Sequence, residues 1–215
     1  MPAKPNERQY RILSAPLKVR EEGDEKPKRF DTEFYVEGYA TTFDDPYVLY
    51  HDPWTDTDYY EVISKSAFEN TDMSDIVLQY NHTGRVLGRT GDTDTLIVEP
   101  DEHGLFVAAD LSKSQAARDM YEEIKNGLIT RMSWAFTVDA DEFDKTTNTD
   151  TVTKVRKIYD VSAVSFPADP NTEISARNQL NGVIEQKRKE FALRKRKAAV
   201  ARAKAVLAIA NSGKD

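Results

Sequence analysis

The sequence predicts an α+β fold that is mostly β, an antiparallel barrel or sandwich followed by a helical C-terminal tail. Short runs rich in aromatic and β-branched residues recur from Tyr10 to Phe166. Turn-forming clusters of Gly, Pro, Asn and Asp separate them, and one interior segment carries a strong helical period. Strands joined by hairpin-like turns favour antiparallel pairing over parallel βαβ units.

Taken in order, residues 1–9 are polar with two prolines, and Tyr10 to Val19 reads as a first strand. The charged run from Glu21 to Arg29, broken by Gly23 and Pro27, reads as a loop. Glu33 to Phe43 is a strand by composition, and Gly38 within it predicts a bulge. Residues 44–60, full of Asp and Tyr with Pro46 and Pro53, are expected to form a long loop. Glu61 to Ile63 is a short strand, Ser64 to Phe68 a helical turn, and Asp75 to Tyr80 a buried strand running into Asn81 and His82. Arg85 to Thr90, Thr95 to Glu99 and Gly104 to Leu111 are three further strands. Ser112 and Gln115 have capping-box spacing, and the helix they open carries Ala116, Met120, Ile124 and Leu128 four residues apart. Gly127 caps its end. Met132 to Val138 and Val152 to Phe166 are strands around the polar turn at 145–150. From about Ile174 the chain turns helical, with Leu193, Val200 and Leu207 seven residues apart.

With 215 residues, 39% hydrophobic and 31% charged, the composition is that of a globular protein. Cysteine is absent, which excludes disulfides, thiolate catalysis and thiolate metal sites. Neither an apolar signal-peptide core nor a run of about 20 apolar residues occurs, so a soluble, intracellular protein with no membrane partner is expected. The net charge of −7 divides unevenly. Glu185 to Ala210 holds nine Lys/Arg against two Glu, while the rest of the chain is strongly acidic. A basic tail on an acidic body implies a partner of its own for the tail, or a solvated helix with one charged face.

No glycine-rich phosphate loop is present, and the three histidines and many aspartates form neither an HExxH nor an EF-hand pattern, so no cofactor or metal is expected. A hydroxyl nucleophile remains. Serine is not ionised near neutral pH, so a base must take its proton and a third group must fix the base. Histidine suits the base role because it titrates near working pH. His103 lies in a turn and His51 in the expected loop, whereas His82 ends a buried strand that can aim it. Ser133 opens a strand just after a helix-ending glycine. Asp160 interrupts an apolar strand on the face shared by Ile158, Ser162 and Val164, a costly place for a carboxylate unless it is paired. For Asp160, a buried ion pair or a capping role is the alternative to catalysis.

These stretches resemble the prohead maturation proteases of tailed phages, a group related to the herpesvirus assemblins. The resemblance lies in Glu37-Gly-Tyr-Ala40 with Phe43, Val62-Ile-Ser-Lys-Ser-Ala-Phe68, Asn81-His82 followed by Leu87-Gly88, Gly127-Leu128 with Ser133-Trp-Ala-Phe136, and Asp160-Val-Ser-Ala-Val-Ser-Phe-Pro-Ala168 with Pro170. The ordered set covers residues 33–175. It implies an assemblin-like antiparallel β-barrel with flanking helices; the chain is then divided into a flexible N-terminal segment with a possible first strand at 1–30, a protease domain at 31–175 and a basic helical tail at 176–215. Ser133 would be the nucleophile, His82 the general base and Asp160 the third member, standing where the family usually shows glutamate. Ala135 stands where glycine is frequent. The oxyanion donors are left unassigned, because the turn at Phe166 to Ala168 includes Pro167, which has no N–H.

The implied function is a serine endopeptidase of capsid maturation, working by an acyl-enzyme inside the immature capsid in the host cytoplasm. Its protein substrates would be the scaffold or the scaffolding segment of the major capsid protein, and the chain itself, with self-association a further expectation. A catalytically inactive assembly or scaffold protein of the same fold is the main alternative. Nucleic-acid binding through the tail is a lesser one, disfavoured by the acidic body.

Overall fold

Two long antiparallel strands form the spine of the molecule: β10 (Arg131–Asp144) and β11 (Thr149–Val164), joined by the turn at 145–148. The computed structural model describes residues 8–19, 27–53, 55–91 and 95–165. Every residue from Met132 to Val138 is buried. Alternation along a strand then gives the two faces different tasks. Trp134 and Phe136, their rings stacked with centroids 3.7 Å apart, belong to the hydrophobic core, where Phe68 lies 5.7 Å from Trp134. Ser133 lies between Met132 and Trp134 in sequence and presents its side chain to the opposite face.

The first strand expected from the sequence is two strands in two sheets. β1 (Gln9–Pro16) pairs antiparallel with β10, and β2 (Lys18–Val19) pairs with β3 (Tyr35–Thr42). Between them the Leu17 N–H donates to the Thr130 carbonyl at 3.2 Å. The irregularity in β3 falls between Tyr39 and Thr42, not at Gly38, which pairs with Val107 in regular register. There Gly104, opposite Thr42, comes so close to the Thr41 carbonyl that a Cβ would lie 2.1 Å from it.

The long loop expected at 44–60 is instead a hairpin of β4 (Tyr47–Asp52) and β5 (Thr57–Ile63). Its tyrosines and Val48 supply the β propensity, and the Asp and Pro residues that suggested a loop gather at its turn and edges. A 3-10 turn at Lys65–Phe68 follows, as expected. Then come β6 (Val77–Tyr80), β7 (Thr83–Arg89), β8 (Leu96–Pro100) and β9 (Gly104–Asp110). Helix α1 (Gln115–Lys125) is capped by Ser114, whose side chain accepts from the Ala117 N–H, and not by Ser112, whose hydroxyl donates to Asp110. It buries Ala117, Met120, Tyr121 and Ile124, while Leu128 lies past its end and is exposed.

The described strands form two sheets, one ordered β1-β10-β11-β5-β4 with β6 on β11 and β7 on β6, the other β2-β3-β9-β8. This mostly β, α+β architecture agrees with the sequence in class but corrects it in detail. The first sheet is mixed, because β11 is parallel to β5 near its start and to β6 near its end. At sixteen residues β11 is long enough to take two partners in succession, each paired over four residues. The segments between β5 or β6 and β11 far exceed the dozen residues a parallel connection needs. Nor do the strands close into a barrel. The first sheet curls nonetheless. Flat strands three steps apart would be separated by roughly 14 Å, yet Arg11 of β1 reaches Glu61 of β5 through hydrogen bonds. The tail expected at 176–215 lies outside the described residues, as do residues 1–7 and 20–26 of the N-terminal segment.

Candidate active site

His82 owes its position to a two-residue hairpin loop. Tyr80 of β6 pairs with Thr83 of β7, leaving Asn81 and His82 at the tip with φ of 48° and 59°. Two positive φ values in succession are the pattern whose twist suits a tight hairpin, and the second position favours glycine. A histidine there carries a backbone cost of about 1–3 kcal/mol, which persists only when neighbours over-determine it. Here β11 does so. The Asn81 N–H donates to the Ala163 carbonyl at 3.0 Å and the His82 N–H to Ser162 Oγ at 3.1 Å.

Ser133 arrives from the other side of the chain. Gly127, at φ +71°, ends α1, and four residues later β10 begins with Arg131. In the β10–β11 ladder Ser133 faces Ser162, and Ala135 faces Asp160. Cross-strand neighbours share a face, as do residues two apart, so Ser133, Ser162 and Asp160 converge on one patch. All three are buried.

The three residues singled out in the sequence meet there. Asp160 Oδ1 lies 2.5 Å from His82 Nδ1, and His82 Nε2 lies 2.6 Å from Ser133 Oγ. Asp160 has the shorter of the two acidic side chains, yet it reaches the ring because β6 pairs with β11 beside it. A carboxylate at Nδ1 fixes the proton on that nitrogen, so in the neutral ring Nε2 presents a lone pair to the serine. The Ser133 hydroxyl has a second acceptor, the Arg11 carbonyl oxygen at 2.8 Å. It has one proton for two acceptors. When the imidazole is neutral it can donate to Nε2, and when the imidazole is protonated Nε2–H becomes a donor and the hydroxyl turns to Arg11.

Other groups around the site did not stand out in the sequence. Ser162 donates to Asp160 Oδ1 at 2.9 Å while accepting from the His82 N–H. Its signal was its place two residues after Asp160 on the same face. The Tyr10 ring meets the His82 ring edge-on at 4.7 Å. Arg11 and Glu61 form a buried ion pair, joined by the Tyr47 hydroxyl. Burial opposes the Arg11 charge, but the charge and hydrogen bonds of Glu61 outweigh it and hold the guanidinium above its ordinary value. Burial beside Glu61 likewise pushes the Tyr47 hydroxyl up. Nothing in a linear reading links residues 11 and 61.

The remaining histidines have other partners. His51 Nδ1 lies 2.7 Å from Asp58 within the β4–β5 hairpin, and the His103 ring packs edge-on against Tyr39. The turn at 166–168, considered above for oxyanion donors, lies outside the described residues.

The chain also matches, over residues 17–186, the model of a known family, the caudovirus prohead serine proteases. It belongs to that family. A curated relative, the prohead protease of Enterobacteria phage HK97, is 26% identical over 151 residues, 68% of this chain and 61% of that protein. The chain thus spans about three-fifths of the length of the curated relative it matches. No solved structure matched. The prohead protease match takes in His82, Ser133 and Asp160 but starts at Leu17, so β1 precedes it.

Proposed function

We propose that this chain is a serine endopeptidase of phage capsid maturation, with Ser133 as nucleophile, His82 as general base and Asp160 orienting the base. The observation that carries the reading is the unbroken line of hydrogen bonds from Asp160 through both ring nitrogens of His82 to Ser133 Oγ. Its members come from three separate elements, β11, the β6–β7 turn and β10.

Ser133 attacks the scissile carbonyl as His82 Nε2 takes its proton, and Asp160 stabilises the imidazolium that forms. His82 then passes the proton to the departing amine, leaving an acyl ester on Ser133 that water hydrolyses by the reverse relay. The positive-φ turn holds the imidazole against β11, so little reorientation precedes attack.

Family membership supports the setting. The substrates are scaffold, the scaffolding segment of the major capsid protein, and the chain itself, acted on inside the immature capsid in the host cytoplasm. Among the described residues no helix is long and apolar enough to cross a membrane. The division read from the sequence, a protease at 31–175 and a basic tail at 176–215 that docks on scaffold or capsid, is extended at its start, because β1 and β2 pair with β10 and β3 of the protease.

The test is Ser133→Ala co-expressed with the phage's capsid and scaffold proteins. Processing of those proteins and of the chain should stop, while circular dichroism and thermal unfolding stay close to wild type. Normal processing by a folded Ser133→Ala chain would refute the assignment.

A further inference from the structure

Strand β1 lies where an incoming peptide would have to lie. It pairs antiparallel with β10, setting Arg11 opposite Trp134 and the next residue, Ile12, opposite Ser133. It is the end strand in the order of the first sheet, so β10 would present its edge if β1 left. Peptides commonly bind such edges by adding a strand. The Arg11 carbonyl oxygen is 2.8 Å from Ser133 Oγ. With a C=O bond of about 1.23 Å, its carbon is no more than about 4 Å from that oxygen, close to the separation from which attack begins. Tyr10, one residue earlier, covers the His82 ring. Ser133 itself has no exposed surface.

The side chain of Arg11 is held as a ligand would be. Its Nε and Nη2 meet both oxygens of Glu61, Nη2 at 2.7 Å, and Tyr47 donates to the same carboxylate. Glu61 is 1% exposed and Arg11 7%. A buried ion pair of this kind is weak evidence for stability, since apolar residues of similar volume commonly serve as well. Its bidentate geometry is selective, because it discriminates a guanidinium from a neutral side chain.

We propose that Glu61, with Tyr47, forms the pocket that selects a basic residue on the acyl side of the scissile bond, and that β1 fills it in cis, making Arg11–Ile12 the first bond cut. This rests on the triad reading above. The Ser133 Oγ–C bond forms at the Arg11 carbonyl and the C–N bond to Ile12 breaks. The serine proton passes through His82 to the Ile12 nitrogen, which becomes a new α-amino terminus. Water then releases residues 1–11 with a free Arg11 carboxylate. Once they leave, the β10 edge from Trp134 to Phe136 and the Glu61 pocket stand open, and release of the remaining β1 pairing at Ile12–Pro16 admits other chains carrying arginine or lysine at the matching position.

The test follows the intact mass of the purified full chain over time, beside Ser133→Ala, and profiles the incubated chain on a peptide library. The wild type should lose residues 1–11, Ser133→Ala should not, and library cuts should follow Arg or Lys by about tenfold or more over neutral residues. Arg11→Lys should keep the cut at residue 11, and Arg11→Gln should lose it. Arg11→Gln with Glu61→Gln removes both charges and leaves no unpaired ion. That pair should retain Ser133-dependent library cleavage without the basic preference. Ser133-dependent cleavage elsewhere in the chain, or in the library with no basic preference, overturns the pocket and leaves the triad standing. Absence of any Ser133-dependent cleavage overturns both.

Discussion

Ser162 donates its hydroxyl proton to the same Asp160 oxygen that meets His82 Nδ1, at 2.9 and 2.5 Å respectively. Ser162 also accepts from the backbone N–H of His82. One buried hydroxyl therefore fixes both the acid and the backbone that carries the base. Ser162→Ala leaves two buried groups short of a partner, which costs about 1–3 kcal/mol of stability. Cleavage should fall roughly tenfold to a hundredfold through misplacement of the ring. Because Ser162 is a positioning residue, kcat should fall more than KM rises, and Ser162→Thr should restore part of the rate. Unchanged kinetics would remove it from the site.

Asp160→Asn keeps the shape of the side chain but loses the charge that fixes the Nδ1 proton. The expected outcome is a loss of about 10³–10⁴-fold in kcat with the fold intact, because the imidazole can then turn its protonated nitrogen toward Ser133. Steady-state kinetics on a cleaved peptide, beside near-ultraviolet circular dichroism, checks both halves of the statement.

At position 82 the backbone and the side chain make opposing demands. His82→Gly and His82→Ala both remove the imidazole and leave Asp160 equally short of it, but alanine must still adopt a φ near 59°. Glycine does so freely, so His82→Gly should be more stable than His82→Ala by about 1 kcal/mol in urea unfolding. Both should be inactive. Equal stabilities would mean that the turn relaxes when the ring is gone.

Asp101 and Tyr39 give the second sheet a pH-dependent link. Burial raises the Asp101 carboxyl, but the Tyr39 hydroxyl at 2.6 Å and the N–H groups of His103 and Gly104 outweigh it and hold it below its ordinary 3.8. Burial, then Asp101, pushes Tyr39 up to about 12. A lowered carboxyl contributes stability that is fully present above its unfolded value and is lost as pH falls through the folded one. A raised phenol contributes stability present below its ordinary 10.0 and lost as pH rises toward 12. Asp101→Asn should therefore flatten the stability profile below about pH 4 and lower the midpoint of the alkaline limb. Chemical denaturation across pH measures both effects.

What could be read from the sequence divides along a physical line. The α1 helix was legible because Met120 and Ile124 repeat at its own period, and Gly127 marks its end by a conformation most residues avoid. His82, Ser133 and Asp160 were legible as candidates because each sits at an element boundary or interrupts an apolar run. Their meeting was not, since it depends on β6 and β10 both choosing β11. The β4–β5 hairpin went unread because its Asp-rich composition masked Tyr47, Tyr50, Tyr59 and Tyr60, which are only half-buried and follow no strict alternation. The cap at Ser114 was displaced by two residues because Asp110 takes the Ser112 hydroxyl. The Arg11–Glu61 pair joins residues 50 apart, where no local pattern operates.

The double partnership of β11 also sets a clock. Strands β5 and β6 emerge from the ribosome long before the strand that joins them in parallel, so neither can complete its native pairing, beyond its own hairpin, until residues 149–164 exist. At about 5–20 residues per second, the interval between His82 and Val164 is roughly 4–16 seconds. Throughout it the histidine has neither acid nor serine to work with. Under the proposed function, a nascent chain therefore has no complete triad, and so cannot cut its neighbours, until β11 has been made.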